Sequence, residues 1–250
     1  MAANAATGTV KPEEVARFES AAAAWWDEDG EFKPLHRLNP ARMTFIRDSL
    51  CDHFGRDPLD DTPLSGLRII DVGCGGGLVS EPLARLGAKV TAIDAGEQAI
   101  GIASAHAAQS GLKIDYRQIT AEHLVEAGES FDAVVSLEVI EHVADVNVFL
   151  DALANLTVPG GALVLGTINR TVKSLALAKI GAEYILRWVP AGTHNWRQFV
   201  KPSELARGLR PHGIEVADLR GIVYHPVTGE WRLAADLDVN YLARFAKASI

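Results

Sequence analysis

The chain has 250 residues, 48% of them hydrophobic, enough to bury one substantial core. Its 24 basic and 32 acidic residues leave a net charge of −8, which argues against nucleic acid as the main partner, since duplex binding needs a broad basic face. No run of about 18 apolar residues and no charged-then-apolar leader occurs, so a protein without a spanning helix or secretory signal is expected. Cys51 and Cys74 are the two cysteines, and Cys74 sits in a glycine-rich turn that a disulfide would distort. Two free thiols and a reducing, cytoplasmic compartment follow.

Residues 1–12 are small and polar and read as a disordered start to a single domain over 13–250. Val15, Phe18, Ala22 and Trp25 recur at helical spacing, and Met43, Ile46 and Leu50 mark a second helix after Asn39-Pro40. The link from Asp57 to Ser65, rich in Pro and Asp, separates these N-terminal helices (13–60) from the main fold.

Beyond it, strands and helices alternate. Leu67–Asp71 is a first strand, and a glycine turn leads into a helix ended by Gly87. Lys89–Asp94 is a second strand, followed by a helix to about Gln109. Ile114–Ile119 and Phe131–Leu137 are the third and fourth strands, Val146–Leu156 is helical, and Pro159-Gly160-Gly161 turns into the strand Ala162–Thr167. A helix at Glu204–Leu209 and strands near Val216–Val223 and Trp231–Ala235 finish the sheet. Crossovers of this length imply an α/β fold with a doubly wound, mostly parallel sheet.

The first strand opens directly into Asp71-Val72-Gly73-Cys74-Gly75-Gly76-Gly77. Glycines there leave backbone N–H groups bare beside a helix N-terminus, where any Cβ would hold a ligand off the main chain. A dinucleotide fingerprint needs glycine at 78, where Leu78 stands, so a nicotinamide enzyme is the weaker reading. Asp94 ends the second strand, 23 residues after Asp71, where a carboxylate can accept both hydroxyls of a ribose; it can also cap the following helix. Ala121 and Glu122 follow the third strand, within reach of a base bound beside that ribose, although Glu122 can equally serve as a helix N-terminal charge.

After the fourth strand, Glu138, Glu141 and His142 share one face if the segment is helical. Such a cluster can hold a divalent ion such as Mg2+, or His142 can act alone as a base; the bland alternative is a solvated turn.

With these residues in view, the chain resembles the ubiquinone biosynthesis O-methyltransferases, class I enzymes that use S-adenosylmethionine. The similarity runs from about Phe18 to Tyr241, through Trp25-Trp26-Asp27, Gly30 to His36, the glycine turn, Glu138 to Val143, Gly181 to Leu186 and Asp238-Val239-Asn240-Tyr241. It implies a seven-stranded Rossmann-like sheet and methylation of ring hydroxyls on polyprenylated phenols and quinols at two steps of ubiquinone synthesis. It also implies cofactor contacts at Arg42, Gly73, Asp94 and Leu137; Asp71, Gly75, Ala121 and Glu122 join them as cofactor candidates from the strand-end reading above. In relatives, positions matching Glu138, Glu141 and His142 are assigned Mg2+. A guanidinium at Arg42 suits the methionyl carboxylate, and the reaction needs the acceptor oxygen aligned and deprotonated. Asn195 stands where Asp is frequent in the family, and no catalytic role is placed there.

Residues 170–201 carry Arg170, Lys173, Lys179, Arg187, Arg197 and Lys201 against the single acid Glu183. Lys179, Glu183 and Arg187 fall on one helical line, with Leu177, Ile180, Tyr184 and Trp188 on another. A cationic amphipathic insertion over 168–200 suits an anionic membrane surface. An ordinary lid over the active site would look similar. Peripheral membrane association, and contact with other ubiquinone-pathway enzymes, are the expectations this segment raises.

Overall fold

The computed structural model describes residues 8–177, 195–225 and 227–249. Five parallel strands form first in the chain: β1 (Arg68–Val72), β2 (Lys89–Asp94), β3 (Asp115–Gln118), β4 (Phe131–Leu137) and β5 (Thr157–Ile168). β6 (Ile214–His225), β7 (Glu230–Ala234) and β8 (Asn240–Lys247) then extend one edge antiparallel. The order is β3-β2-β1-β4-β5-β8-β6-β7, so the chain reverses direction across the sheet between β1 and β4. Ligands in doubly wound folds bind outside the carboxyl ends of the strands at such a reversal.

Neighbouring residues on β1 reach opposite layers, as the period of a strand requires. Ile69 packs with Ile46 and Leu50 of α2 (Lys33–Phe54) and Leu83 of α3 (Ser80–Arg85). Ile70 packs with Leu124 of α5 (Ala121–Glu126), Phe149 and Leu153 of α6 (Val146–Leu156) and Leu205 of α8 (Pro202–Leu209). Both faces of the parallel strands are therefore covered, which is why they read as continuous apolar runs. α4 (Glu97–Gln109) packs against β2 and β3, and α1 (Pro12–Ala21) packs against α4.

The sheet has eight strands rather than seven, and the difference lies at its antiparallel end. β8 inserts between β5 and β6, with Tyr241, Ala243 and Phe245 in the α6–α8 layer and Leu242 in the α2 layer. Arg244 breaks the apolar run; its guanidinium donates to Asp52 on α2. The hairpin β6–β7 then occupies the edge. β5 begins at Thr157, earlier than the Pro159-Gly160-Gly161 turn suggests. The register shift against β4 between Phe131 and Ala133 absorbs those residues as a bulge.

The second helix begins at Lys33, before Pro40 rather than after it. Pro34 starts it without the loss of a needed donor. The chain is also ordered earlier than the expected disorder over 1–12 allows. Thr9 is 4% exposed and hydrogen-bonded, and Pro12 opens α1.

Because Phe245 is fully buried between two layers, Phe245→Ala should cost about 3–5 kcal/mol of unfolding free energy in urea titrations. A loss below about 1 kcal/mol would show that β8 does not carry the core.

Candidate active site

β1 ends beside β2, and the N–H groups of Gly73 and Cys74 both donate to the Ile93 carbonyl at 2.8 and 3.0 Å. Gly73, Gly75 and Gly77 have φ of 78°, 51° and 90°, the left-handed region that side chains resist. Space reinforces the choice of glycine. A Cβ on Gly73 would lie 2.3 Å from Val139 Cγ2, and one on Gly75 would lie 2.4 Å from the Trp25 ring. Trp25 and Trp26 thus press the N-terminal segment onto bare backbone. Trp26 Nε1 donates to the Gly76 carbonyl at 3.0 Å, and Trp25 stacks on Phe32 with ring centroids 3.9 Å apart.

Asp71 accepts a 2.6 Å hydrogen bond from the Ser80 hydroxyl, tying the strand end to the first residue of α3. Burial pushes its carboxyl up to about 7 despite that bond. Asp94 accepts from the Gly75 amide at 2.9 Å through one oxygen and the Gly96 amide at 2.8 Å through the other. Asp94 does not cap α4, whose N-cap residue is Gly96 and which has no side-chain cap bond; of its about four acceptor positions, two remain for a ligand. Burial raises the Asp94 pKa, against the opposing pull of those amides.

A single cavity of about 600 Å³ joins these groups. Arg42, Asp71, Gly73, Gly75, Asp94, Ala121, Glu122, Leu137, Glu138, Glu141 and His142, the whole predicted set, line it. Its two ends carry complementary unfulfilled groups. The buried Arg42 Nε donor and the buried Glu122 Oε2 acceptor have no hydrogen-bond partner among the described residues. Arg42 pairs with Glu138 at the end of β4, while Glu122 lies beyond β3. Three strand spacings separate those ends, about 14 Å.

The segment after β4 is a turn, not the helix that the i, i+3, i+4 spacing invited. Glu138 has φ of 56°, the one non-glycine residue with positive φ among those described, and its N–H donates to the Gly166 carbonyl. The three side chains accordingly diverge. Glu138 Oε1 accepts from Arg42 at 2.7 Å, Glu141 Oε2 accepts from the Thr167 hydroxyl at 2.8 Å, and His142 Nδ1 lies 3.1 Å from Glu14 Oε2. Among the described residues no three His, Cys, Asp or Glu side chains are gathered to hold a metal ion. The expected Mg2+ ligand set does not fit this arrangement, since one carboxylate is committed to a guanidinium and another is turned into the core.

The roof of the cavity escaped the sequence reading. Thr9, Val15 and Phe18 line it from the N-terminal segment. Phe18 meets the His142 ring edge-on, with centroids 5.3 Å apart, and Glu19 accepts from the Gln98 amide at the start of α4. The helical spacing of Val15, Phe18, Ala22 and Trp25 was the available signal, but it predicts an apolar face and not the surface that face covers.

A family model described as a methyltransferase domain matches residues 70–165. The ubiquinone biosynthesis O-methyltransferase of Sinorhizobium fredii is 52% identical over 234 residues, 94% of either chain. That of a Methylobacterium species is 53% identical over 240 residues, 96% of either. The chain belongs to the ubiquinone biosynthesis O-methyltransferase family. Among solved structures, magnesium protoporphyrin IX methyltransferase from Synechocystis with bound S-adenosylhomocysteine aligns over 93% of this chain and 95% of its own. Its TM-score is 0.64 at 20% identity. An N-methyltransferase from Bradyrhizobium japonicum aligns over 94% and 97%, with a TM-score of 0.58 at 18% identity. These last two bear on the fold.

In this ubiquinone-family chain, burial and the neighbouring Glu138 charge push the Glu141 carboxyl up to about 8. The folded state therefore keeps a proton that the unfolded chain releases near its ordinary value of 4.5. Stability contributed through this group falls as pH rises from about 4.5 to about 8 and is level outside that window. Glu141→Gln should remove that slope. Urea unfolding at pH 5, 6.5 and 8 should show the variant gaining on the parent at each step, and a constant difference would refute the assignment.

Proposed function

We propose that this chain transfers the methyl group of S-adenosylmethionine to ring hydroxyls of polyprenylated phenols and catechols in ubiquinone synthesis. Membership in the family supports the substrate class. The observation that carries the chemistry is the one cavity with an unfulfilled guanidinium donor at one end and an unfulfilled carboxylate acceptor at the other. S-adenosylmethionine presents the opposite groups at about that separation: a carboxylate on its methionyl end and an exocyclic amine on its adenine. Arg42 binds the first, Glu122 the second, and the two remaining acceptor positions of Asp94 take the ribose hydroxyls. Leu137 and the bare backbone of the glycine turn lie between.

The transfer is an in-line displacement: an acceptor oxygen forms a bond to the methyl carbon as the carbon–sulfur bond breaks. S-adenosylhomocysteine leaves with the electron pair, and the acceptor's proton must go to a base. In this reading His142 is that base. Glu14 Oε2 lies 3.1 Å from its Nδ1 on the cavity wall, where a charge beside the ring favours its protonated form. No step is routed through Mg2+.

The test supplies S-adenosylmethionine and a short-chain prenyl catechol, with and without chelator. Methylated product should form in both, and His142→Ala should lower kcat about 10²–10⁴-fold with little change in cofactor affinity. Failure to form product under either condition defeats the substrate assignment, and loss with chelator alone defeats the metal-free reading.

The same reading includes peripheral contact with an anionic membrane surface, from which a prenylated acceptor would be drawn, and leaves room for other pathway enzymes. Val172 and Leu177, 81% and 53% exposed at the head of the basic segment, support it. Two of its cations are already paired, however: Arg170 with Glu204, and Lys173 with Asp236 and Asp238. Lys179 and Arg187, with Ile180, Glu183, Tyr184 and Trp188, lie outside the described residues. No helix among the described residues is long and apolar enough to cross a membrane. Charge reversal at Lys179 and Arg187 should abolish sedimentation with anionic vesicles; unchanged sedimentation would dismiss the contact.

A further inference from the structure

The N-terminal segment does more than cover the cavity. Thr9 is buried, and both its backbone N–H and its hydroxyl donate to the same oxygen, Glu122 Oε1. The Thr9 carbonyl accepts from the Ala144 amide at 2.7 Å, in the turn that follows β4. One residue thus joins the start of α5 to the turn after β4, across more than a hundred positions of sequence. The strap is fastened again at Glu14 beside His142 and at Glu19 on the Gln98 amide.

The consequence for Glu122 is specific. Two donors occupy Oε1 and fix the plane of the carboxylate, which leaves Oε2 buried, lining the cavity and without a partner. Burial would raise this carboxyl, but the bonds led by the Thr9 hydroxyl outweigh it and hold the group below its ordinary value. Glu122 is therefore an ionised acceptor, and an ionised acceptor distinguishes an amine from a carbonyl sharply.

We propose that Thr9 is a positioning residue for cofactor recognition: it clamps Glu122 Oε1 so that Oε2 faces the exocyclic amine of the purine. The strap thereby makes selection of a 6-amino over a 6-oxo purine depend on the N-terminus being docked. This rests on the reading of Glu122 as the adenine contact, and the experiment separates the two.

Calorimetric titration of the full-length chain with S-adenosylhomocysteine and S-inosylhomocysteine, whose base carries oxygen in place of the amine, reads the selection directly. The parent should favour the adenosyl ligand. Thr9→Val, which removes the hydroxyl and keeps the shape, should weaken the adenosyl ligand about three- to tenfold and shrink the preference by a similar factor. A chain beginning at residue 10 should lose more, and Thr9→Ser should restore both quantities. Glu122→Gln should collapse the preference outright. If Glu122→Gln leaves the preference intact, the adenine reading is wrong and the clamp falls with it. If Glu122→Gln collapses it while Thr9→Val and the shortened chain weaken both ligands equally, Glu122 stands and the clamp is overturned, leaving Thr9 as cover only. Unfolding of each ligand-free variant, compared with the parent, keeps lost folding from passing for lost recognition.

Discussion

Where β1 ends, two tryptophan rings lie against a backbone that has no side chains to keep them away. Gly73, Gly75 and Gly77 take left-handed conformations that are costly for any residue with a Cβ. Trp25 fills the space a Cβ would need at Gly75 and Gly76, and Val139 does so at Gly73. The contact does two things at once. It lets the turn bond back onto the Ile93 carbonyl and Asp94, and it docks the N-terminal segment so that α1 can close over the same cavity. Replacing a glycine would disturb both the strand-end turn and the N-terminal roof that packs on it.

Charge is the second constraint. Asp71, Asp94 and Glu141 are carboxyls held out of water along one rim, and desolvation raises each of them. The structure limits that cost with short bonds: Ser80 to Asp71, two amides to Asp94, and Thr167 to Glu141. Glu138 is treated differently. It sits in a strained backbone position worth about 1–3 kcal/mol, and its carboxylate is bound to the buried Arg42. The pair keeps Arg42 from being an isolated buried cation while leaving its Nε free for a second anion.

Much of this was legible in the chain. β2, β4, α4 and α6 begin and end close to where their patterns place them, because each couples a strong apolar period to a clear cap or turn. β8 was not legible, since Arg244 interrupts its alternation and both its faces are buried, a combination that looks like neither an exposed-edge strand nor an apolar run. The glycines and carboxylates that line the cavity were legible because such residues at strand ends have few other uses there, while Arg42 and Leu137 came from the family resemblance. The divergence of Glu138, Glu141 and His142 was not foreseeable: it follows from the left-handed turn at Glu138, which helical spacing arguments assume away. Thr9 was invisible for a different reason, as a small polar residue in a polar run has no pattern, and its partners lie 113 and 135 positions away.

The basic insertion shows how far net charge can mislead about a surface. Residues 170–201 read as a cationic island, yet Arg170 and Lys173 spend their charge on Glu204, Asp236 and Asp238, acids that follow later in the chain. The loop between β7 and β8 is thereby tied to the end of β5, on the flank of the sheet away from the glycine turn. Thr171 adds to the tie by donating to the Asp238 carbonyl, and Trp196 Nε1 returns to the Thr171 carbonyl. The described residues on either side of the insertion therefore meet at one stapled point, where the Val200 amide donates to the Ile168 carbonyl. At its described head the cations are paired while Val172 and Leu177 stay exposed, so the surface presented there is more apolar than its composition suggests.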